Sequence, residues 1–172
     1  RRTTYHGDIG LHVAKALWGI QHGSLDVSDV ASQGKGYIAG SKAYEENPSA
    51  KQEIETINKE LYAGTSHLMS LYEKGREEAL NHFKSIYERL GSTFDFNLLE
   101  SEAGTVGVEL VRDHIADQVF TESQGAVVFQ GERFGLHTRV FINSQGIPTY
   151  EAKDLALADI KLKLFPYTKS IV

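Results

Sequence analysis

The chain has 172 residues with 18 Lys and Arg against 23 Asp and Glu, a formal net charge of −5, so on average it repels phosphate backbones and shows no local basic patch to offset this. Its apolar share of 41% supports an ordinary buried core in one compact domain or a large piece of one. No apolar run approaches the roughly 20 residues of a bilayer span, and the absence of Cys excludes disulfides and thiolate metal sites.

The N-terminus RRTTYHGDIG lacks the apolar stretch of a secretory signal, so a cytoplasmic location is expected. The chain opens on Arg1 and its single Met is Met69, which reads as a processed chain or an interior piece. Residues 5–19 read as a helix with Asp8 as N-cap and Val13, Ala14, Leu17 and Trp18 as an apolar stripe, stopped by Gly23. Residues 27–41, VSDVASQGKGYIAGS, are rich in Gly and Ser without a sustained period and read as a mobile or extended loop, so a first segment of residues 1–40 is expected.

A helix then starts where Asn47 suits the N-cap and Pro48 the first helical position, with Ile54, Ile57 and Leu61 on one face before Gly64. A second runs over residues 66–90, with Leu68, Leu71, Tyr72, Ala79, Phe83, Ile86, Tyr87 and Leu90 inward and Gly91 as its stop. Together they predict a helical hairpin over residues 41–91, whose charges, among them Glu73, Lys74, Arg76, Glu77 and Glu78, form a solvated face.

After Gly91 the period changes to two, and STFDFNLLES reads as a strand with Phe94, Phe96 and Leu98 on one side. GTVGVELVRDHIADQ reads as a helix burying Val108, Val111 and Ile115. GAVVFQ and LHTRVFIN read as strands of a β-hairpin joined by GERFG. Gly146 and Pro148 mark the turn into a last helix, capped by Thr149, with Leu155, Ala158 and Leu162 inward. The pattern is α/β, with residues 92–172 as its third segment and no internal repeat.

Several motifs lack the context their chemistry needs. The glycines at 34, 36 and 40 match a dinucleotide-binding spacing, but no hydrophobic strand precedes them. No GxxxxGK[ST], HExxH, HxH or GxSxG occurs, so a phosphate loop, a helical zinc site and a nucleophile elbow are unsupported; neither a catalytic residue nor a metal ligand is assigned. Tyr150 and Asp154 differ in kind, because side chains at i and i+4 share a helix face and bring a phenol and a carboxylate together. A guanidinium suits such a pair: it is planar, permanently charged, and presents forked donors that match a carboxylate and a face that stacks on rings. On spacing alone, an aromatic at the core edge and a solvated acid remain the simpler account.

Three stretches, YHGDIGLHVAKALWG, LYEKGREEALNHFKSIYERLGSTFDFNLLESE and GLHTRVFINSQGIPTYEAKDLALAD, together resemble the catalytic domain of the arginyl-tRNA synthetases, nearly along the whole chain. Lys153 stands where that family has Arg, keeping the charge without the planar fork. The resemblance implies a partial Rossmann-like class I synthetase core carrying the helical hairpin as an insertion, in which ATP with Mg activates L-arginine before transfer to tRNA. It implies that Tyr150 and Asp154 hold the guanidinium, and it brings Asp8, Gly10 and His12 near the substrate pocket as candidate lining residues. The HIGH and KMSKS elements of such enzymes, which stabilise charge on the ATP phosphates, do not occur in the 172 residues. The chain alone is therefore expected to form no arginyl-adenylate, to bind no cofactor tightly and to have little affinity for nucleic acid. The alternatives are another class I synthetase or nucleotidyl transferase, and a non-catalytic module whose hairpin docks a partner through an exposed apolar stripe along residues 68–90.

Overall fold

A computed structural model describes residues 1–171 as two compact units, Arg1–Asn97 and Leu98–Val172. In the first, strand β1 (Thr3–His6) leads into helices α1 (Leu11–Gly23), α2 (Val30–Glu46), α3 (Pro48–Ala63) and α4 (Met69–Arg89), and the chain returns as strand β2 (Phe96–Leu99) to pair with β1. The cross-strand bonds advance in the same direction on both strands, the Asp95 carboxylate accepting from the Arg2 amide and the Thr4 hydroxyl donating to Asn97. That is the sense of a parallel pair, which requires a long crossover, here the four helices.

The helix expected over residues 5–19 begins later than its apolar stripe suggested, because Thr3–His6 is strand and Gly10, at φ +137°, is the residue that turns the chain into α1. Asp8 does not cap it. The Gly/Ser-rich segment expected as a loop is instead helix α2, whose N-cap is Asp29, its carboxylate accepting from the amides of Ala31 and Ser32. Its glycines are used for close approach. A Cβ on Gly36 would lie 2.7 Å from Ile20 Cγ1 and 2.8 Å from the Ala16 carbonyl oxygen, and Cβ atoms on Gly19 and Gly40 would run into the carbonyls of Gly36 and Lys15. The α1 and α2 backbones thus meet with no side chain between them.

Helix α3 follows its sequence signals: the Asn47 side chain accepts from the Ser49 and Ala50 amides, Pro48 opens the helix, Gly64 closes it at φ +68°, and Ile54, Ile57 and Leu61 are buried. They form the core with Ile9, Ala14, Leu17, Leu68 and Tyr72. Helix α4 buries only the start of its expected stripe, since Phe83 is 40% and Leu90 71% exposed.

The second unit packs helices α5 (Glu100–Asp113) and α6 (Tyr150–Leu164) beside an antiparallel sheet in the order β3-β4-β5 (Thr121–Ser123, Ala126–Phe129, Arg139–Ile142). The expected hairpin is β4 and β5, paired Val127 to Ile142 and Phe129 to Arg139 with an irregularity after Val127. Strand β3 is additional, joined to β4 through Gln124 and Gly125, both at positive φ, which matches the twist of a tight hairpin. Val111, Phe120, Val127, Ile142 and Ala152 form this unit's core.

Helix α6 starts where Thr149 was expected to cap it, but the Thr149 hydroxyl donates to the carbonyls of Val140 and Phe141 and makes no cap bond. Its buried face is Ala152, Lys153 and Ala156; Leu155 reaches the core edge, while Ala158 and Leu162 are exposed, contrary to expectation. The reason is again backbone contact: a Cβ on Gly107 of α5 would collide with the Ala152 carbonyl, so small residues face α5. At that interface Lys153 Nζ donates to Glu100 Oε2 at 2.7 Å, both side chains nearly enclosed.

Gly40→Ala lowers unfolding stability by about 1–3 kcal/mol through overpacking, whereas Gly34→Ala, whose Cβ would meet nothing within 4 Å, is neutral or gains up to about 1 kcal/mol of helix propensity. Urea midpoints with unchanged slope measure both. Replacing Lys153 by Ala strands the Glu100 carboxylate and costs about 3–5 kcal/mol, whereas replacing both by apolar residues of similar volume costs less than either single change.

Candidate functional site

In the first unit the chain leaves β1 through Gly7, Asp8, Ile9 and Gly10, and this turn is held from α4. Tyr72 and Arg76, one helical turn apart, both reach the Asp8 carboxylate: the Tyr72 hydroxyl donates to Oδ2 at 3.2 Å and Arg76 Nη1 at 3.4 Å. Arg76 Nη1 also lies 3.3 Å from the Tyr72 oxygen, and its guanidinium carbon is 5.0 Å from the Tyr72 ring centre. The Asp8 side chain is 3% exposed and that of Arg76 31%. Burial alone would lower the Arg76 pKa, but Tyr72 and Asp8 outweigh it and raise it, so the guanidinium stays charged.

A buried carboxylate with these partners ties the turn to α4, where an N-cap would tie it only to α1. Sequence reasoning placed Arg76 on a solvated face; its signal was the spacing from Tyr72, a residue on the buried side of α4.

His12 Nε2 lies 2.9 Å from the Gly7 carbonyl, which can only accept, so that nitrogen carries the proton. His6 stacks on Phe83 with ring centres 5.2 Å apart. Burial lowers the His6 pKa against the opposing pull of Asp8, keeping the ring neutral to lower pH than a free imidazole. Asp8, His6, His12, Tyr72, Arg76 and Phe83 all border one cleft of about 520 Å³. Of the three residues expected near a pocket, Asp8 and His12 line this one, and Gly10 shapes the turn behind it.

In the second unit, Tyr150 and Asp154 occupy the first turns of α6 on its outer side; Tyr150 is 62% exposed and Asp154 is exposed as well. Among the described residues neither side chain makes a hydrogen bond or ion pair. Between them in sequence, Lys153 points the other way into its pair with Glu100, which anchors α6 on α5. Limited desolvation, then the neighbouring charges of Glu100 and Glu151, push the Asp154 carboxyl up from its ordinary value, with Lys153 opposing. The arrangement offers a flat ring and a carboxylate of raised proton affinity, both free to meet a ligand. The described residues contain no group of three His, Asp or Glu set to hold a metal.

No family model matches the chain. Its sequence is similar to the arginine–tRNA ligase of Pediococcus pentosaceus, 28% identical over 161 residues, covering 94% of this chain and 28% of that protein. It is also similar to those of Clostridium perfringens, 26% identical over 175 residues, and Streptococcus thermophilus, 28% over 176, each covering 99% of this chain and 31% of the relative. The chain thus spans less than a third of the length of these relatives.

Its fold is similar to that of Plasmodium falciparum arginyl-tRNA synthetase, with a TM-score of 0.64 at 20% identity over 94% of this chain and 28% of that one. A putative arginyl-tRNA synthetase from Campylobacter jejuni matches at 0.55 and 17%, over 94% and 36%. Over nearly its whole length, the chain is similar to one segment of the arginyl-tRNA synthetases.

Proposed function

We propose that the chain acts within an ATP-dependent arginine–tRNA ligase, as an interior segment of its catalytic domain, and that Tyr150 and Asp154 bind the guanidinium of L-arginine. The observation that carries the reading is the likeness to arginine–tRNA ligases along 94–99% of the chain. The parallel sense of β1 and β2, bridged by helices, is what a Rossmann-like core requires. In the same reading residues 92–172 form the α/β part carrying the arginine-binding helix and residues 41–91 an insertion, with tRNA and ATP as partners of the intact enzyme.

The Tyr150 ring supplies a face for the planar cation, and Asp154 supplies charge and two acceptor oxygens. Lysine is disfavoured, since its ammonium offers neither the planar fork nor the stacking face. Lys153 takes no part in binding: its ammonium is committed to Glu100, and this fixes the azimuth at which α6 presents its neighbours. ATP and Mg belong to the intact enzyme in this reading, and the 172 residues carry neither HIGH nor KMSKS. The module reading loses its continuous stripe, because Leu68 and Tyr72 are buried and only Phe83 and Leu90 stand out among the residues that were to form it.

In the complete enzyme carrying this segment, Asp154→Ala raises the arginine KM by up to about fivefold, the roughly 0–1 kcal/mol of a solvent-exposed carboxylate–guanidinium pair, and leaves the ATP KM nearly unchanged. Equal changes in both overturn the assignment. Arginine binding needs the ionised carboxylate, and the Asp154 pKa lies above its ordinary value, so affinity falls on acidification earlier than a free aspartate would dictate. Glu151→Gln removes one of the charges that raise it and shifts that loss to lower pH, readable in the pH profile of the arginine KM.

A further inference from the structure

The cleft of the first unit has features that neither the arginine reading nor its fold explains. Its body is apolar and aromatic, walled by Leu17, Ile20, Val30, Tyr37 and Phe83, while its polar end is Asp8 with Arg76. The two charges are not equally available. Asp8, with its side chain 3% exposed, sits behind Arg76, whose side chain is 31% exposed, so a molecule entering the cleft meets the cation and not the acid.

Among the described residues the hydrogen bonds of Arg76 engage Nη1, leaving Nε and Nη2 as donors, and the ion pair with Asp8 keeps the guanidinium oriented before anything binds. His12 is oriented by the Gly7 carbonyl and His6 by its stack on Phe83, so the rings are also set in advance. A volume of about 520 Å³ suits one small molecule. At Gly34 a Cβ would meet nothing within 4 Å, so this lining residue leaves room that a side chain would otherwise fill.

We propose that this cleft binds a planar aromatic molecule bearing one anionic group, with its ring among the apolar walls and its anion on the free donors of Arg76. The site rests on the first unit alone and does not depend on Tyr150 or Asp154.

Isothermal titration of the 172-residue chain with 2-naphthoate, and with neutral 2-naphthamide as its isostere, tests it. One saturable site is expected, with the carboxylate about tenfold tighter than the amide, the difference between a charge-assisted and a neutral hydrogen bond. Arg76→Met brings the carboxylate down to the affinity of the amide and leaves amide binding unchanged. Gly34→Phe fills the cleft and abolishes both, while Gly34→Ala retains them. Should Arg76→Met unfold by stranding Asp8, the two Gly34 variants decide. Absence of saturable heat, equal affinity for the two probes, binding that survives Gly34→Phe, or displacement of 2-naphthoate by ATP, which would make the cleft a nucleotide site, each overturns the proposal.

Discussion

Close approach of helix backbones at glycine is the constraint on which both units depend. In the first, Gly19, Gly36 and Gly40 let α1 and α2 meet main chain to main chain; in the second, Gly107 does the same for α5 against Ala152 of α6. Each glycine inside a helix costs about 1 kcal/mol of intrinsic stability relative to alanine. That cost is tolerated because the contact is what sets the remaining geometry. With the α1 and α2 axes this near, Gly34 and Tyr37 of α2 come to border the same cleft as Val13 and Leu17 of α1. With α6 seated on α5 through Ala152 and Ala156, the opposite side of its first turns, bearing Tyr150 and Asp154, faces outward.

A second layer of specification comes from two ion pairs built alike, one enclosed on both sides and one with only its acid buried. Asp8 follows β1 and is held by Arg76 from α4; Glu100 follows β2 and is held by Lys153 from α6. Each acid leaves a strand within two residues and each base comes from a helix within the same unit. Such pairs add little net stability over apolar replacements, but a single broken partner is expensive, so they act as register marks. The Asp8 pair fixes the turn before α1 and the Lys153 pair fixes the rotation of α6. Rotation matters most at α6, where a turn of the helix about its axis would exchange the buried Lys153 for the exposed Asp154.

The sequence was legible where local signals and tertiary packing agree. Asn47, Pro48 and Gly64 bound α3 because capping, proline and left-handed glycine each act within a few residues, and the apolar period then names the buried face. It was misleading where tertiary contact outweighs local preference. Residues 27–41 look like a loop because glycine reads as freedom, whereas at 36 and 40 its value is the missing Cβ; the Asp29 cap and the four-residue spacing were the available signals.

Asp8 looks like a cap because it precedes an apolar stripe, and only the distant Arg76, 68 residues on, turns it into an ion-pair partner. Strand β3 is three polar residues without alternation and exists through its pairing with β4. On α6 the leucines promised an inward face, but an interface of backbone contact takes alanines instead. The Tyr150 and Asp154 spacing was readable directly; that Lys153 between them is structural was not.

The exposure of Tyr150 and Asp154 bears directly on how such a pair can select arginine. In open solvent a carboxylate and a guanidinium gain about 0–1 kcal/mol, and an exposed cation–π contact adds about 0.5–1 kcal/mol. Together these are worth no more than about a thirtyfold preference, since each 1.4 kcal/mol is a factor of ten. Excluding water changes the scale, because a desolvated cation then depends on Asp154 for about 3–5 kcal/mol. Limited desolvation, then the charges of Glu100 and Glu151, raise the proton affinity of Asp154. A guanidinium beside Asp154 would relieve the repulsion from those two acids. The proposed pair thus has the scale of an exposed contact as it stands, and the larger scale requires surroundings that exclude water from it.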